Sequence, residues 1–591
     1  MPPVRRTRWA PPPVKASTRL EDTPFVLLDA GGGGGSGRSL LFTGAGEVVE
    51  TWDPAAVRAS IRRLEGRHAA GFISYEAGHA LEPKLAPLCA APAPEAPPLL
   101  WFGLFDEPEE VDPAALLPDP AGAWAAPARP LVARTDYSKA VARILSHIEA
   151  GDIYQANLTF PAEVRFAGHP LALYAAIRAR AGAAHGAVVF TGAHWILSFS
   201  PELFFEMKNG RILARPMKGT APRSDDPESL RADPKQRAEN LMIVDLLRND
   251  LSRVSRPGTV EVPHLFAIET YPTLHQMTST VTAQLSNGVT PAHVLETIFP
   301  CGSVTGAPKI RAMEIIAETE TAPRGVYTGS IGRVAPGGEA EFNVAIRTLT
   351  IPAAAAAARM GLGSGVVADS RAGEEWRECL AKGAFVHDPD RSFDLIETMR
   401  FDPRDGMPDL ERHLARLKRS ADALGFAFDR HDARNELQAA TFRLPEVSRV
   451  RLMLSPTGAV AIEIRPLPPH PSEPVDVTLA VRPVAADDFR LVHKTSDRAF
   501  YDALRRTAGT FEILLEDEAG FLTEGSFTHL FVERAGRLLT PPLARGLLPG
   551  ILRERLIEEG RAEEADLVAA DLFDGFLIGN AARGLIRAKL A

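Results

Sequence analysis

The sequence predicts two unrelated domains, each mixing α-helix with β-strand, and three observations lead there. A chain of 591 residues exceeds what a single hydrophobic core supports. The short polar segment Phe385-Val386-His387-Asp388-Pro389-Asp390-Arg391 separates a helical stretch ending near Lys382-Gly383 from a fresh strand-like run over 393–398. On both sides of that segment, strand patterns such as Trp195-Ile196-Leu197-Ser198-Phe199 interleave with amphipathic helices, and no repeat relates the halves. The expected layout is a disordered tail over 1–20, a first domain over 21–384, a linker over 385–391 and a second domain over 392–591.

Composition narrows the class. With 45% hydrophobic and 24% charged residues, the chain has a soluble globular make-up. A formal charge of −9 leaves no basic field to collect phosphates, which argues against general nucleic-acid binding. No apolar run approaches the roughly 20 residues that span a bilayer. Cys89, Cys301 and Cys379 stand far apart and in no metal-ligand spacing, so neither a disulfide framework nor a zinc site is expected. A reducing cytoplasm is the natural compartment.

The elements follow in order. Residues 1–15 are basic and proline-rich without the apolar centre of a signal peptide, and read as a disordered tail. Residues 31–35 are glycines of a flexible loop. Val141, Ile144, Leu145 and Ile148 fall at helical spacing and predict a helix over 137–150. In Arg215-Pro216-Met217-Lys218-Gly219-Thr220 the proline and glycine exclude an ordinary helix and put Lys218 on a turn or strand end. There it is either a solvated lysine or one aimed at a ligand.

A helix opens at Lys235 and runs through 239–251, with Glu239 near its start. A glycine-rich stretch over 301–309 precedes a helix over 310–318. The alanine run over 353–358 reads as a loop or short helix between strands. The second glycine stretch, Gly361-Leu362-Gly363-Ser364-Gly365, leads into a helix over 371–382 that Asp369 or Ser370 would cap, with Glu375 and Glu378 on one face. Carboxylates from the two helices are either solvated acidic faces or ligands for a hard divalent ion such as magnesium, which keeps water and substrate oxygens around it.

Taken together, these blocks resemble the chorismate-utilising enzymes, the family of anthranilate, isochorismate, salicylate and aminodeoxychorismate synthases. They are Ile148-Glu149-Ala150-Gly151-Asp152-Ile153-Tyr154-Gln155, Ser200-Pro201-Glu202, Pro216 to Thr220, Arg237-Ala238-Glu239-Asn240, Val244 to Asp250, Cys301 to Lys309, Tyr327-Thr328-Gly329, Ala345-Ile346-Arg347, and Gly363 to Lys382. The resemblance implies large, mostly antiparallel sheets flanked by helices. It implies Mg²⁺ on Glu239 and Glu378 with Glu375 close by. Substrate contacts are expected from Gln155, Ser303, Thr305, Tyr327, Arg347, Gly363, Ser364, Gly365 and Lys382. It further implies Glu202 as general acid for the departing C4 hydroxyl, and His275 beside the ring. Water-adding members carry a lysine base at the position of Gln155, and a neutral glutamine cannot serve as one. Anthranilate-forming members carry a small residue where Lys218 stands, whereas aminodeoxychorismate-forming members carry lysine. The implied chemistry is a covalent Lys218 adduct and net amination of chorismate. No cysteine lies in a Gly-x-Cys-x-Gly elbow, so a separate glutamine amidotransferase subunit is the expected nitrogen donor.

The second half resembles the fold-type IV pyridoxal-phosphate enzymes, which have two subdomains. Leu410-Glu411-Arg412-His413-Leu414-Ala415-Arg416 places Arg416 at the phosphate-binding position. Val492-His493-Lys494 supplies the lysine that bonds the cofactor, and Leu522-Thr523-Glu524 supplies the partner of its ring nitrogen. Gly550, Ile551 and Leu552 open a helix whose amides would cradle the phosphate. Asn580 and Ala581 lie in a loop on the phosphate side. His529 stands where an asparagine is usual, and Leu552 where a hydroxyl is frequent. The family implies a homodimer through this domain.

These motifs do not separate a lyase from a branched-chain or D-amino-acid type aminotransferase. The fusion favours the lyase, giving an expected conversion of chorismate to 4-aminobenzoate and pyruvate. An anthranilate-type first half and a non-catalytic scaffold with relic pockets are the alternatives.

Overall fold

The computed structural model describes residues 20–31, 38–270, 274–353 and 355–591. The tail expected over 1–15 lies outside the described residues, as do 32–35 of the glycine loop and Ala354 of the alanine run. Among the described residues, no helix is long and apolar enough to cross a membrane.

The first domain is built on one eleven-stranded and one ten-stranded sheet. Both faces of the central strands are covered: one face of each sheet packs under helices, and the other two faces share a core that includes Val26, Phe42, Phe72 and Trp101. The strand Gln155–Ala167 pairs antiparallel with Ala357–Val366 and sets Gly363 opposite Thr159 and Gly365 opposite Asn157. The helix Arg134–Glu149 buries Tyr137, Val141 and Ile144 against this sheet, with Leu145 and Ile148 partly covered. The second sheet buries Phe204, Phe205 and Phe342 with Val244 and Leu247 of the helix Pro234–Ser252.

Other expected elements are present with shifted ends. The strand His194–Ser200 contains the predicted 195–199 run, and the helix Lys309–Thr319 contains 310–318. The strand expected at 393–398 is Leu395–Phe401, because Phe393 instead turns into a core with Trp124 and Phe426. The alanine run over 353–358 keeps only in part to the expected loop or short helix: it begins in the connection after Thr348–Pro352, but Ala357 and Ala358 already belong to the strand Ala357–Val366.

One expectation fails. The helix Ala372–Gly383 has Arg371 as its N-cap and no side-chain cap. Ser370 is unavailable because its hydroxyl donates to the Glu375 carboxylate at 2.7 Å while accepting from the Val367 N–H at 3.0 Å.

Lys218 lies within the strand Met217–Pro222, beside an irregularity that a turn-or-strand-end reading only partly anticipates. Met217 pairs with Thr278 and Thr220 with Gln276, so three residues advance against two and leave a bulge at Lys218-Gly219. Gly219 takes φ of +94° there, a conformation open to glycine. The bulge is pinned from outside the strand: Asn240 donates to the Lys218 carbonyl at 3.3 Å, and Gln276 to the Gly219 carbonyl at 2.8 Å.

The second domain has a three-stranded antiparallel sheet and an eight-stranded mixed sheet, the two subdomains. The segment between the domains is packed rather than solvated. Val386 is buried, His387 bonds the Ala125 carbonyl at 2.8 Å, and Arg391 donates to the Ala121 and Ala123 carbonyls at 2.6 Å each. Trp124 of the first domain joins Phe393, Phe426 and His387 in ring contacts.

Candidate active sites

The Lys218 amine lies beside Gly365. A Cβ built on Gly365 would stand 3.0 Å from Gln155 Nε2 and 3.6 Å from Lys218 Nζ, so the missing side chain keeps a space open between those two groups. Burial lowers the Lys218 pKa, helped by the Lys382 ammonium, while Glu202, Glu239 and Glu378 act in the opposite sense. Its neighbours in charge are therefore the groups that motif reading had grouped around it.

Glu202 follows the strand His194–Ser200 and is buried. Burial pushes its carboxyl up to about 7, against a hydrogen bond with Ser303 and the charge of Lys218. Its Oε1 has no hydrogen-bond partner among the described residues, and neither has Gln155 Nε2 or His275 Nε2. A buried polar atom without a partner calls for a polar ligand, and two of these, Gln155 Nε2 and Glu202 Oε1, belong to neighbours of Lys218. The Nδ1 of His275 is taken by Thr270 Oγ1 at 2.9 Å, which leaves Nε2 as the open nitrogen.

Not every expected contact turns its side chain outward. The Ser364 hydroxyl meets Tyr137 at 3.1 Å, and Thr305 Oγ1 donates to the carbonyls of Gly302 and Cys301. Both hydroxyls thus shape the walls. Tyr327 lies over Gly361, where any Cβ would strike its ring. Arg347, at φ +51°, sends Nη1 to the Ala181 carbonyl at 3.2 Å and sits 5.9 Å from the Phe385 ring centroid. Lys382 donates to the Gly363 carbonyl at 3.1 Å and pairs with Glu378 at 2.6 Å.

The carboxylates meet the requirements of a hard divalent ion in part through what they lack. Glu239 makes no hydrogen bond or ion pair among the described residues, and burial raises its pKa, with Glu378 and Asp369 adding repulsion. For Glu378 burial also pushes upward, but Lys382 and Lys218 outweigh it and hold the carboxyl low. No cluster of three or more His, Cys, Asp or Glu is gathered among the described residues. An ion held by two carboxylates and completed by water and substrate oxygens fits this donor set, as magnesium sites commonly are.

Sequence reading missed the brace behind the site. Arg324 is buried, pairs with Glu320 at 2.7 Å, donates to the Asn157 and Val304 carbonyls at 2.6 and 2.9 Å, and covers the Tyr75 ring. Glu320 in turn accepts from the Thr159 N–H at 2.7 Å. The cluster ties the 301–305 turn to the strand that carries Gln155. Its members come from distant segments, so no local pattern signals it.

In the second domain a cavity of about 480 Å³ gathers Arg416, Lys494, Glu524, His529, Gly550, Ile551, Leu552, Asn580 and Ala581. Burial lowers the Lys494 amine to about 7, assisted by the Arg416 charge. Burial raises Glu524 to about 7, although Tyr501 donates to one oxygen at 2.6 Å and the Leu548 N–H to the other at 3.1 Å. Gly550 precedes the helix Ile551–Glu558, and His529 occupies the space a Cβ at 550 would need. Asn580 Oδ1 accepts from the Ala582 and Arg583 N–H groups at 3.0 and 2.9 Å and so folds its loop.

Arg416 donates from Nε and Nη2, one edge of its guanidinium, to the two Glu397 oxygens at 2.8 and 2.6 Å, and from Nη1 to the Pro549 carbonyl at 3.0 Å, next to the helix start. His413 Nδ1 meets the same Glu397 at 2.6 Å. Burial alone would raise Glu397, yet Arg416 and His413 hold its carboxyl far below the usual range. Glu397 escaped sequence reading, although an acid inside the apolar run Leu395-Ile396-Glu397-Thr398-Met399 was an available signal. A lysine, a carboxyl and the start of a helix lining one cavity fit pyridoxal phosphate.

The chorismate binding enzyme family matches residues 35–388, and amino-transferase class IV matches residues 394–591. The chain belongs to the chorismate binding enzymes, and its second domain has the class IV aminotransferase fold. Aminodeoxychorismate synthase component 1 of Klebsiella aerogenes is 40% identical over 258 residues, covering 42% of this chain and 57% of that protein. Anthranilate synthase component 1 of Streptomyces coelicolor is 39% identical over 254 residues, covering 42% and 49%. The chain thus spans about half the length of these curated relatives. Anthranilate synthase component I from Streptococcus pneumoniae TIGR4 aligns in structure at 23% identity with a TM-score of 0.49, covering 65% of this chain and 96% of that one.

Proposed function

We propose that the chain makes 4-aminobenzoate from chorismate in two steps, amination in the first domain and elimination in the second. The observation that carries this reading is Lys218, desolvated in a bulge and facing the open side of Gly365 beside Gln155. Near-equal identity to an aminodeoxychorismate synthase and an anthranilate synthase leaves the choice of reaction to such positions.

In the first step the Lys218 amine attacks C2 of chorismate as Glu202 gives its proton to the departing C4 hydroxyl. A carboxyl raised to about 7 still carries that proton near neutrality. Ammonia then adds at C4, the Lys218 amine leaves C2, and 4-amino-4-deoxychorismate results. Gln155 is neutral and cannot deprotonate water, which protects the adduct from hydration. Glu239 and Glu378 would hold Mg²⁺, which supplies charge neutralisation for a substrate carboxylate when bound, while Glu375 is engaged by the Ser370 hydroxyl. A separate glutamine amidotransferase would supply ammonia, as the component 1 naming of the relatives suggests.

In the second step pyridoxal phosphate, when bound, supplies an electron sink for carbanion chemistry. Lys494 would bond it, with Arg416 and the Ile551 and Leu552 amides on its phosphate side and Glu524 holding a proton at the ring nitrogen. The Lys494 amine, lowered to about 7, would take the proton from C4, the carbon that bears the amine; the C3–O bond then breaks, enolpyruvate leaves and becomes pyruvate, and the aromatised ring is released as 4-aminobenzoate.

The test is incubation of the pure chain with chorismate, ammonium, Mg²⁺ and pyridoxal phosphate. Matched amounts of 4-aminobenzoate and pyruvate are expected. Anthranilate would remove the first step as written, and 4-amino-4-deoxychorismate accumulating without pyruvate would remove the second.

A further inference from the structure

The second cavity carries more positive charge than the cofactor residues require. Seven arginines and Lys494 line it, against Asp502 and Glu524 alone. Some of the arginines are committed. Arg416 is paired with Glu397, Arg490 with Asp488 at 2.6 Å, and Arg498 donates to the Ser526 carbonyl.

Arg449, Arg505 and Arg583 differ: among the described residues none of them has a side-chain hydrogen bond or an ion pair. They come from three elements, the strand Ser448–Leu454, the helix Ala499–Ala508 and the turn before the strand Gly584–Leu590. Aromatic rings support two of them without neutralising them. Arg505 lies 4.7 Å from the Phe527 ring centroid and Arg583 lies 5.7 Å from that of Phe511, and the two rings are themselves in edge contact. Burial, then the charges of Arg449 and Arg505, lower the Arg583 pKa, so the three guanidinium groups feel one another. Arg505 is exposed and Arg449 and Arg583 are half-buried, so water reaches all three, and a carboxylate entering the cavity would offset their shared charge.

We propose that Arg449, Arg505 and Arg583 form a carboxylate subsite on the outer side of this cavity, so that the second domain selects substrates with a second carboxylate remote from the amine. The spacing has a basis in the strand. Arg451 shares a face with Arg449 and stands near enough to Lys494 to lower its pKa, and its Nε is buried without a partner. Two residues of strand separate these positions by about 7 Å, a span that suits a rigid ring dicarboxylate. The inference rests on the reading that this domain acts on a cofactor-bound amine. It narrows the substrate to a dianion, which simple apolar amino acids are not.

The test uses the full chain loaded with pyridoxal phosphate, and isophthalate against benzoate as probes in calorimetric titration. Wild type should bind isophthalate about tenfold more tightly, the scale of a charge-assisted pair. R505A/R583A should erase that ratio and leave benzoate binding and the cofactor absorbance unchanged, while R583K should keep part of it. Equal affinities in wild type, or a ratio unmoved in the double variant, would overturn the proposal. Should the double variant melt early, rising salt on wild type gives the second reading: the isophthalate advantage must shrink as charges are screened, and a salt-independent advantage also overturns it.

Turnover of 4-amino-4-deoxychorismate separates this subsite from the reaction assigned above. The double variant should raise KM about tenfold with kcat nearly unchanged. Pyruvate formed with an unaltered KM sinks the subsite and leaves the lyase intact. An isophthalate preference without any pyruvate does the reverse.

Discussion

The Lys218 amine stands against the bare side of Gly365, 3.6 Å from where a Cβ would sit. A side chain at 365 would fill the gap between Lys218 and Gln155 that a substrate ring must enter. Replacing Lys218 with alanine removes the nucleophile and leaves the gap wider. Ammonia-dependent consumption of chorismate should fall to background in K218A while the protein keeps its melting temperature. Turnover that survives would show that ammonia attacks without a covalent step.

Glu202 allows a cleaner substitution. Its Oε1 has no partner to lose, so glutamine should fold in its place. A glutamine has no proton to give the leaving hydroxyl, and kcat should drop by roughly 10²–10⁴-fold with KM little changed. Steady-state assays on E202Q measure both. A parallel change in KM alone would point to binding rather than acid catalysis.

Lys494 sets a pH dependence. Only the neutral amine bonds an aldehyde, and burial brings this group to about 7 from the ordinary lysine value of 10.5. The rate of pyridoxal phosphate uptake should therefore climb as pH rises through 7 and level above it. Stopped-flow absorbance follows this directly. A rate still climbing at pH 9 would mean an ordinary, solvated lysine.

Glu239 has no partner among the described residues to replace a cation. E239Q removes one charged ligand, and the Mg²⁺ concentration giving half-maximal amination should rise about tenfold or more. A Mg²⁺ titration of the initial rate checks it.

Trp124 ties the domains together. It is buried against Phe393, Phe426 and His387 across the junction. Truncating a buried tryptophan to alanine costs about 3–5 kcal/mol. Denaturant unfolding of W124A should show the loss, and should split one transition into two if this contact couples the domains.

Much of this protein was legible in the chain itself. Apolar spacing located the helix Arg134–Glu149, because helix periodicity is a local property. The ordered motif blocks named Lys218, Glu202 and Lys494, and Pro216 and Gly219 correctly barred a helix at Lys218. Local signals misled where a side chain had a stronger tertiary partner. Ser370 looks like a cap, yet its hydroxyl bonds Glu375; Phe393 looks like strand, yet it packs on Trp124.

What the sequence determined, then, is which residues are candidates for the chemistry and on which kind of element each rides. Only the tertiary structure decided their company and therefore their state. Register across the strands opened the bulge at Lys218, burial set Glu202, Glu524 and Lys494 near 7, and Glu397 claimed Arg416. The same holds for Arg449, Arg505 and Arg583, which no spacing rule connects. Burial and charge are sums over neighbours in space, and those neighbours come from segments far apart in the chain.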